Sequence, residues 1–432
     1  MSAAITPHDP NLAAMGEINE FLSFLKRQFN ILNSEDLSER KRAIATIYEY
    51  VNENKIDFES LGSQKIMKEF HKALLKAFSD SSEKIRETAV KIVQELLSRC
   101  EDMTIFLPYI FSILVERSNC EDLEGISQLP EVMRPAPGQK PYVMTKLIEL
   151  SEPVRYELLE LLGIIITCAE EEILTPYIND CVDILRTYLM DPFSQIQIKA
   201  CKITAEFVSR YQELLFNFGQ TFCRALLTPL CAKKSPIKIA ALEAMREVLY
   251  LGTWKWSVFS MEMLTGYRDP NSVAIKEFYE PTNNFNYLAM LINNENINVR
   301  EAFLRVVGDW MTTLPDRYDH ESRLIPYLLS GLFDRCEEIQ QSCLEVLEEV
   351  GISIERDKEK DFREHKQFGI CPSWSNNGLL YSLPPPPPFK SRPRLGCQNL
   401  IKNRLSVLMY PVLRELKDNI NLENKLKATQ LL

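Results

Sequence analysis

Five times along this chain of 432 residues, a polar turn leads into an apolar anchor, a polar residue and an amphipathic helix. The segments are SDSSEKIRETA (79–89), DPFSQIQIKA (191–200), KKSPIKIAA (233–241), NNENINVREAF (293–303) and DRCEEIQQSC (334–343). Their anchors are Ile85, Ile196, Ile237, Val299 and Ile339. Spacings of 41 (Ile196 to Ile237) and 40 (Val299 to Ile339) match the ~40–47-residue period of stacked helix pairs. The 62 from Ile237 to Val299 is one repeat plus about 20 residues, and the 111 from Ile85 to Ile196 is close to three repeats. A helix pair that is apolar on two faces cannot bury both alone, so such pairs must stack. The expected fold is all-α: an α-solenoid of HEAT/armadillo-like helix pairs forming a superhelical repeat array of about nine or ten pairs.

Periodicity of three and four residues recurs outside these segments. Ile85, Ala89, Ile92, Val93 and Leu96 form one stripe, with Lys84, Glu87, Lys91 and Glu95 between them. Similar helices are expected at 17–32, 35–53, 63–78, 101–117, 152–168, 173–189, 195–209, 212–230, 236–250, 295–313, 321–332, 336–352 and 398–416. The Asp or Ser of each turn is expected to cap the second helix of its pair. The Arg or Lys after each anchor is expected to reach back to the acidic turn of a neighbouring repeat. Prolines bend or start the first helices, as in FLPYI (106–110), LTPYI (174–178), LTPL (227–230) and LIPYLL (324–329).

The expected organisation is a flexible N-terminus (1–16), a repeat array over 17–353 with loops at 119–145 and 251–292, a charged and Pro-rich linker (354–396), and further repeats from 397 to 432. The 251–292 stretch sets Trp254, Trp256, Tyr267, Phe278, Tyr279, Phe285 and Tyr287 among Pro and Asn without periodicity, and reads as a loop packed on the array or as a partner contact. Pro384 to Pro388 reads as a polyproline II spacer. Leu432 falls inside an apolar-periodic stretch with no Gly or Pro stop, so the array is expected either to run on or to have lost its last repeats.

The 14 glycines bear on chemistry, because the closest two, Gly369 and Gly378, are nine residues apart. Dinucleotide fingerprints, P-loops and nucleophile elbows all need closer glycines. The four histidines (His8, His71, His320, His365) form no local metal pair, and the 11 cysteines contain no CxxC. Cys168, Cys181, Cys201 and Cys343 sit in apolar helical patterns and read as buried free thiols of a reducing compartment. Acidic runs such as Glu170 to Glu172 read as surface charge. No enzyme, cofactor or metal is expected. The N-terminal residues lack the pattern of a secretory signal. The longest apolar run, Leu161 to Ala169, is about half of a membrane span, so no membrane partner is expected. A net charge of −10 argues against nucleic acid as a partner.

Several segments also carry a resemblance. DPF (191–193) opens a repeat. NVREAFLRVVGDWMTTLPDRYD (298–319) combines a Val-Val-Gly-x-Trp helix with a following Asp-Arg-Tyr. LIPYLLSGLFD (324–334), EEIQQSCLEVLEEVG (337–351), PPPFKSRPRLGCQNLIKNRLSVLMYPV (386–412) and KLKATQLL (425–432) follow in order. The chain resembles the HEAT-repeat dynein axonemal assembly factor family, most closely over about 190–432 and in helix pattern only before 150. The insert at 251–292 is longer than the family's usual loop, and the family is longer than this chain.

The resemblance implies a cytoplasmic, non-catalytic scaffold for preassembly of outer and inner axonemal dynein arms, needed for cilium movement. Its implied partners are dynein intermediate and heavy chains and other assembly factors or chaperones. The alternative is a generic HEAT-repeat adaptor, such as a phosphatase scaffold or transport receptor, although no repeated acidic inner ladder stands out in the sequence. Candidate partner-binding residues on the second helices are Lys199, Lys202, Lys238, Arg246 and Arg305, with Glu243, Glu301 and Glu345 beside them. Arg392 and Arg394 in the RPRLGC turn read as a docking site. The turn also reads as purely structural, with Pro393 stiffening it, Gly396 at positive φ and Leu395 re-entering the core.

Overall fold

The computed structural model describes residues 22–52, 60–118, 120–121, 146–251, 256–266, 285–360 and 395–418, with positions 422, 425, 426 and 429. They fall into two compact units, one ending at Leu214 and the other running from Leu215.

The first unit holds α1 (22–31), α2 (Leu37–Asn52), α3 (Ser60–Ala77), α4 (Glu83–Ser98), α5 (Leu107–Ser118), α6 (Glu152–Cys168), α7 (Glu171–Leu174), α8 (Ile178–Leu189) and α9 (Ser194–Arg210). A two-residue antiparallel pairing of Cys120–Glu121 with Lys146–Leu147 lies between α5 and α6. The short α10 (Gln212–Leu215) lies at the division. The second unit holds α11 (Gly219–Leu230), α12 (Ser235–Val248), α13 (Trp256–Thr265), α14 (Tyr287–Ile292), α15 (Ile297–Thr313), α16 (Arg317–Gly331), α17 (Glu337–Asp357) and α18 (Leu395–Asp418).

Within each unit the helices pair as the periodicity predicts. First helices α3, α8 and α11 pack on second helices α4, α9 and α12, and the second helices pack side by side: α2, α4, α6, α9 in one unit and α12, α15, α17 in the other. The fold is all-α, built of HEAT/armadillo-like pairs. A second helix is therefore walled in on three sides. In α4, Ile85, Thr88, Ala89, Val90, Ile92, Val93, Gln94, Leu96 and Leu97 are all buried. Lys84, Glu87, Lys91 and Glu95 line the remaining solvent side.

The element boundaries correct several expectations. The 111 residues from Ile85 to Ile196 hold only one intervening second helix, α6, so they span two repeats and not three. Seven second helices precede α18 among the described residues, fewer than nine or ten pairs would supply. The helix expected at 173–189 is broken into α7 and α8 by a 3₁₀ turn at Thr175–Tyr177, where Pro176 removes a backbone donor. The helix expected at 212–230 is broken by another turn at Phe216–Phe218. The 251–292 stretch is not simply a loop. It contains α13 and α14, and α13 (WSVFSMEMLT) is too uniformly apolar to show a helical stripe.

One interaction recurs from repeat to repeat. Arg40, Arg86, Arg155 and Arg300, in the first turn of their second helices, each reach a carboxylate in the turn of the following repeat. Their Nε atoms donate to Asp80 (3.0 Å), Glu149 (2.9 Å), Asp191 (2.8 Å) and Asp334 (2.7 Å), and each Nη2 donates to the other oxygen. Each Nη1 donates to two carbonyls of its own turn, five and six residues back: Ser34 and Glu35, Asp80 and Ser81, Glu149 and Leu150, Asn294 and Glu295. Each acceptor carboxylate also takes the backbone N–H of the residue that caps its helix, namely Ser82, Ser151, Phe193 and Cys336. The ladder was expected, but it runs forward to the next turn and not back. The Ser82 and Ser151 hydroxyls make no capping bond; the acid two residues earlier serves the turn instead.

Helix crossings explain several glycines. A Cβ on Gly308 would overlap the Val346 side chain, and one on Gly396 would overlap the Gly351 backbone. Gly163, Gly308, Gly331, Gly351 and Gly396 thus lie within helices, and each meets a neighbouring helix there. Among the described glycines positive φ occurs only at Gly266. The expectation of positive φ at Gly396 is therefore corrected: the residue is helical, and its lack of a side chain lets α18 sit against α17.

Two stability changes are expected. Arg155 and Asp191 are 2% and 1% exposed, so Arg155→Ala leaves a buried carboxylate unpaired and lowers unfolding free energy by about 3–5 kcal/mol. Arg40→Ala, whose pair is partly hydrated, costs less; urea unfolding of both variants checks the order. Gly396→Ala displaces α18, read as faster amide exchange along the α17 face around Leu347 to Glu355, with α12 unchanged.

Candidate protein interaction surface

The ladder fixes a register. Counted from its position in each second helix, five residues on lie Lys91, Glu160 and Lys202 (with Ala45 in α2) in the first unit and Glu243, Arg305 and Glu345 in the second. The sign alternates from helix to helix in each set. Lys202, Glu243, Arg305 and Glu345 are exposed, and Lys91 and Glu160 are half-buried. Nine residues on lie Glu49, Glu95 and Glu206 (with Ile164 in α6) and then Glu247, Asp309 and Glu349. A repeated acidic row therefore exists in each unit. It escaped the sequence reading because the inserts and the missed α6 register hid the alignment.

Several members of these rows are engaged between neighbouring second helices. Lys91 meets Glu157 at 3.3 Å and Glu87 at 2.7 Å. Burial works against the charge of both Lys91 and Glu87, but their mutual bond outweighs it, raising the Lys91 pKa and lowering that of Glu87. Of the candidates, Lys199 pairs with Glu160, and Arg246 pairs with Asp309 at 3.2 Å and Glu247 at 2.9 Å. These two belong to the internal ladder of their unit. Arg305 pairs only along its own helix with Glu301 at 2.6 Å. Lys202 has no ion pair among the described residues. Lys238 occupies a ladder position, half-buried, and burial pushes its ammonium pKa down. Arg392 and Arg394 lie outside the described residues.

The quoted motifs also find structural reasons. In VVGDW (306–310), Val306, Val307 and Trp310 are buried, Gly308 admits Val346, Asp309 meets Arg246, and the Trp310 indole donates to the Arg246 carbonyl at 3.3 Å. In the Asp-Arg-Tyr stretch, Asp316 is buried beside His320, while Arg317 and the Tyr318 hydroxyl both donate to Asp357, tying the start of α16 to the end of α17. Burial raises the Asp357 pKa, but the bonds from Tyr318 and Arg317 prevail and hold it below the usual carboxylate range.

No group of three His, Cys, Asp or Glu suited to a metal occurs among the described residues, and no helix there is long and apolar enough to cross a membrane. Cys181, Cys201, Cys223, Cys343 and Cys397 are buried. Burial pushes the thiols of Cys223 and Cys343 up to about 12, which keeps them protonated and unreactive. Cys168, expected to be buried, is exposed: it is the last residue of α6, and the Ala169 that follows takes the buried place.

A model of the family described as dynein axonemal assembly factor 5-like, with TPR repeats, matches residues 31–133, 140–264 and 282–365. The chain belongs to the dynein axonemal assembly factor 5-like family. Dynein axonemal assembly factor 5 of Xenopus laevis is 26% identical over 98% of this chain, and its human counterpart 24% over 100%. The chain spans 43% and 44% of those relatives. The match begins at residue 31, so the family extends well into the N-terminal third, where only the helix pattern was expected to match. The unmatched 265–281 falls within the long insert. A computationally designed armadillo repeat protein (TM-score 0.44, 15% identity, 66% of this chain and 98% of that one) and importin beta (TM-score 0.44, 12% identity, 95% and 51%) are similar solved structures. At such scores the helix pairs themselves carry the fold class.

Because their side chains are solvated and free of partners on other helices, Lys202→Glu and Arg305→Glu are expected to keep this assembly factor-like fold within about 0.5 kcal/mol of the parent. Thermal unfolding of each variant measures this and qualifies both for binding tests.

Proposed function

We propose that this chain is a non-catalytic scaffold for cytoplasmic preassembly of outer and inner axonemal dynein arms, binding dynein intermediate and heavy chains together with other assembly factors or chaperones, and needed for cilium movement. The family match over residues 31–133, 140–264 and 282–365 carries this reading. The solvated rows on the second helices support it physically. Exposed charges at a fixed register on rigid neighbouring helices can bind an extended segment at many points, each contributing little, and select it by charge pattern. Lys202 and Arg305 are the proposed contacts of the two units. Lys199 and Arg246 are engaged in ion pairs within their units, Lys238 is half-buried, and Arg392 and Arg394 retain the docking role proposed for their turn.

Co-precipitation of dynein intermediate chain from ciliated cells tests this. Recovery with the full chain is expected, and Lys202→Glu or Arg305→Glu is expected to lower it about threefold to tenfold. Intact dynein arms and normal ciliary beating in cells lacking the protein would rule the proposal out.

A further inference from the structure

The outer face of α3 carries a charge pattern unlike that of the second helices. Lys65, Lys68, Lys72 and Lys76 recur at three- and four-residue steps. At 100° per residue they fall within a sector of about 80°. The opposite side of the helix buries Ile66, Met67, Phe70, Leu74 and Leu75. Lys68, Lys72 and Lys76 are exposed and Lys65 is half-buried.

Among the described residues, few charged groups border the stripe. On one edge Lys26 of α1 meets Glu69 at 3.7 Å, adding a fifth cation while engaging the one carboxylate of α3, and Lys76 donates to Asn33 at 3.0 Å. On the other edge lies Asp102, close enough to feel Lys68, and the Thr104 backbone N–H already binds its carboxylate at 2.9 Å. Beyond it stand Ile105, 50% exposed, and Tyr109, 47% exposed. The His71 ring lies 5.1 Å from that of Tyr109, joining the apolar ledge to the lysine helix.

We infer that this face is a docking site for an acidic amphipathic segment of a protein partner, its carboxylates spaced to meet Lys68 and Lys72 and an apolar side chain resting on Ile105 and Tyr109. Charge complementarity selects the occupant. Among the described residues Lys26, Lys65, Lys68, Lys72 and Lys76 stand beside Glu69 and Asp102, two carboxylates that are already engaged. The stripe is entirely lysine, which offers point charges and lacks the planar fork that favours phosphate. A chain of net charge −10 repels extended polyanions such as nucleic acid or an anionic membrane, yet a short acidic segment feels only charges within a Debye length of about 8 Å. The face lies on first helices, apart from the charged rows of the second helices, so the inference stands whether or not the dynein reading holds.

Fluorescence anisotropy tests it, using the full chain and a labelled synthetic helix of about 20 residues with glutamates at three- and four-residue spacing and leucines along one edge. The double charge reversal Lys68→Glu/Lys72→Glu is expected to weaken binding about tenfold or more, and raised salt to weaken the parent in the same direction. Tyr109→Ala is expected to weaken it a few-fold, while Lys202→Glu leaves it unchanged. Far-UV circular dichroism confirms folding, and the milder Lys72→Gln supplies the readout if the double variant unfolds. The inference is overturned by equal binding of the double variant, by equal loss in Lys202→Glu, or by a glutamine-for-glutamate peptide binding as tightly. It is also overturned if phosphatidylserine vesicles or duplex RNA bind the stripe and the peptide does not.

Discussion

A buried arginine that serves two turns at once holds the repeats in register. Arg155 illustrates the economy. Two of its nitrogens satisfy Asp191 in the following turn, and a third satisfies two carbonyls of its own turn. Every turn between paired helices exposes backbone groups that lack helical partners. Burying such turns requires that these groups be bonded. At Arg40, Arg86, Arg155 and Arg300 the ladder meets that requirement with a single side chain, and the acceptor acid completes it by taking the N-cap N–H. The ion pair is thus weak evidence of net stability by itself, but it joins adjacent turns in one relative placement.

That placement determines what the second helices present to solvent. With three sides buried, only positions offset by fixed amounts from the ladder stay wet, which is why charges recur five and nine residues after it. It also determines where backbones must approach closely. Gly308 and Gly396 are not turn residues. They are the points where a side chain would hold two helices apart. The family's Val-Val-Gly-x-Trp helix therefore reads as a packing device with one solvated acid, Asp309, inserted for Arg246.

The helical class, the pairing and the ladder's existence were legible because each rests on local patterns: a 3.6-residue stripe, a polar turn, an arginine after the anchor. The direction of the ladder was not, since a turn's carboxylate can face either neighbour with the same local sequence. The second helix α6 went unaligned because its turn, ELSEPVRYE, presents Glu149 where the turns at 80, 191 and 334 have Asp, after a long interruption. The glycine assignments failed for a related reason. Sequence position near an expected helix end suggests a backbone role, whereas the crossing partner of Gly396 is Gly351, 45 residues away. The placement of Lys199 and Arg246 was right as to helix but blind to partners, because a charge on a second helix is equally able to face solvent or the adjacent helix.

The ends of the ladder show why arginine is the required residue. A planar guanidinium can direct donors to a carboxylate on one side and to carbonyls on the other. Gln197 and Gln340 occupy the same position, and their amides bond to carbonyls of their own turns, of Leu189 and Asp334. Lys238 also occupies it, and its compact ammonium lacks the planar fork that spans two turns. The turn of the next repeat accordingly offers Asn294 in place of an acid, and its amide oxygen accepts only the Asn296 N–H. Where the fork is lost the matching carboxylate is lost with it, as expected if an unpaired buried carboxylate costs more than the ladder rung returns. Arginine and acid are therefore a single structural unit in this protein, retained or replaced together.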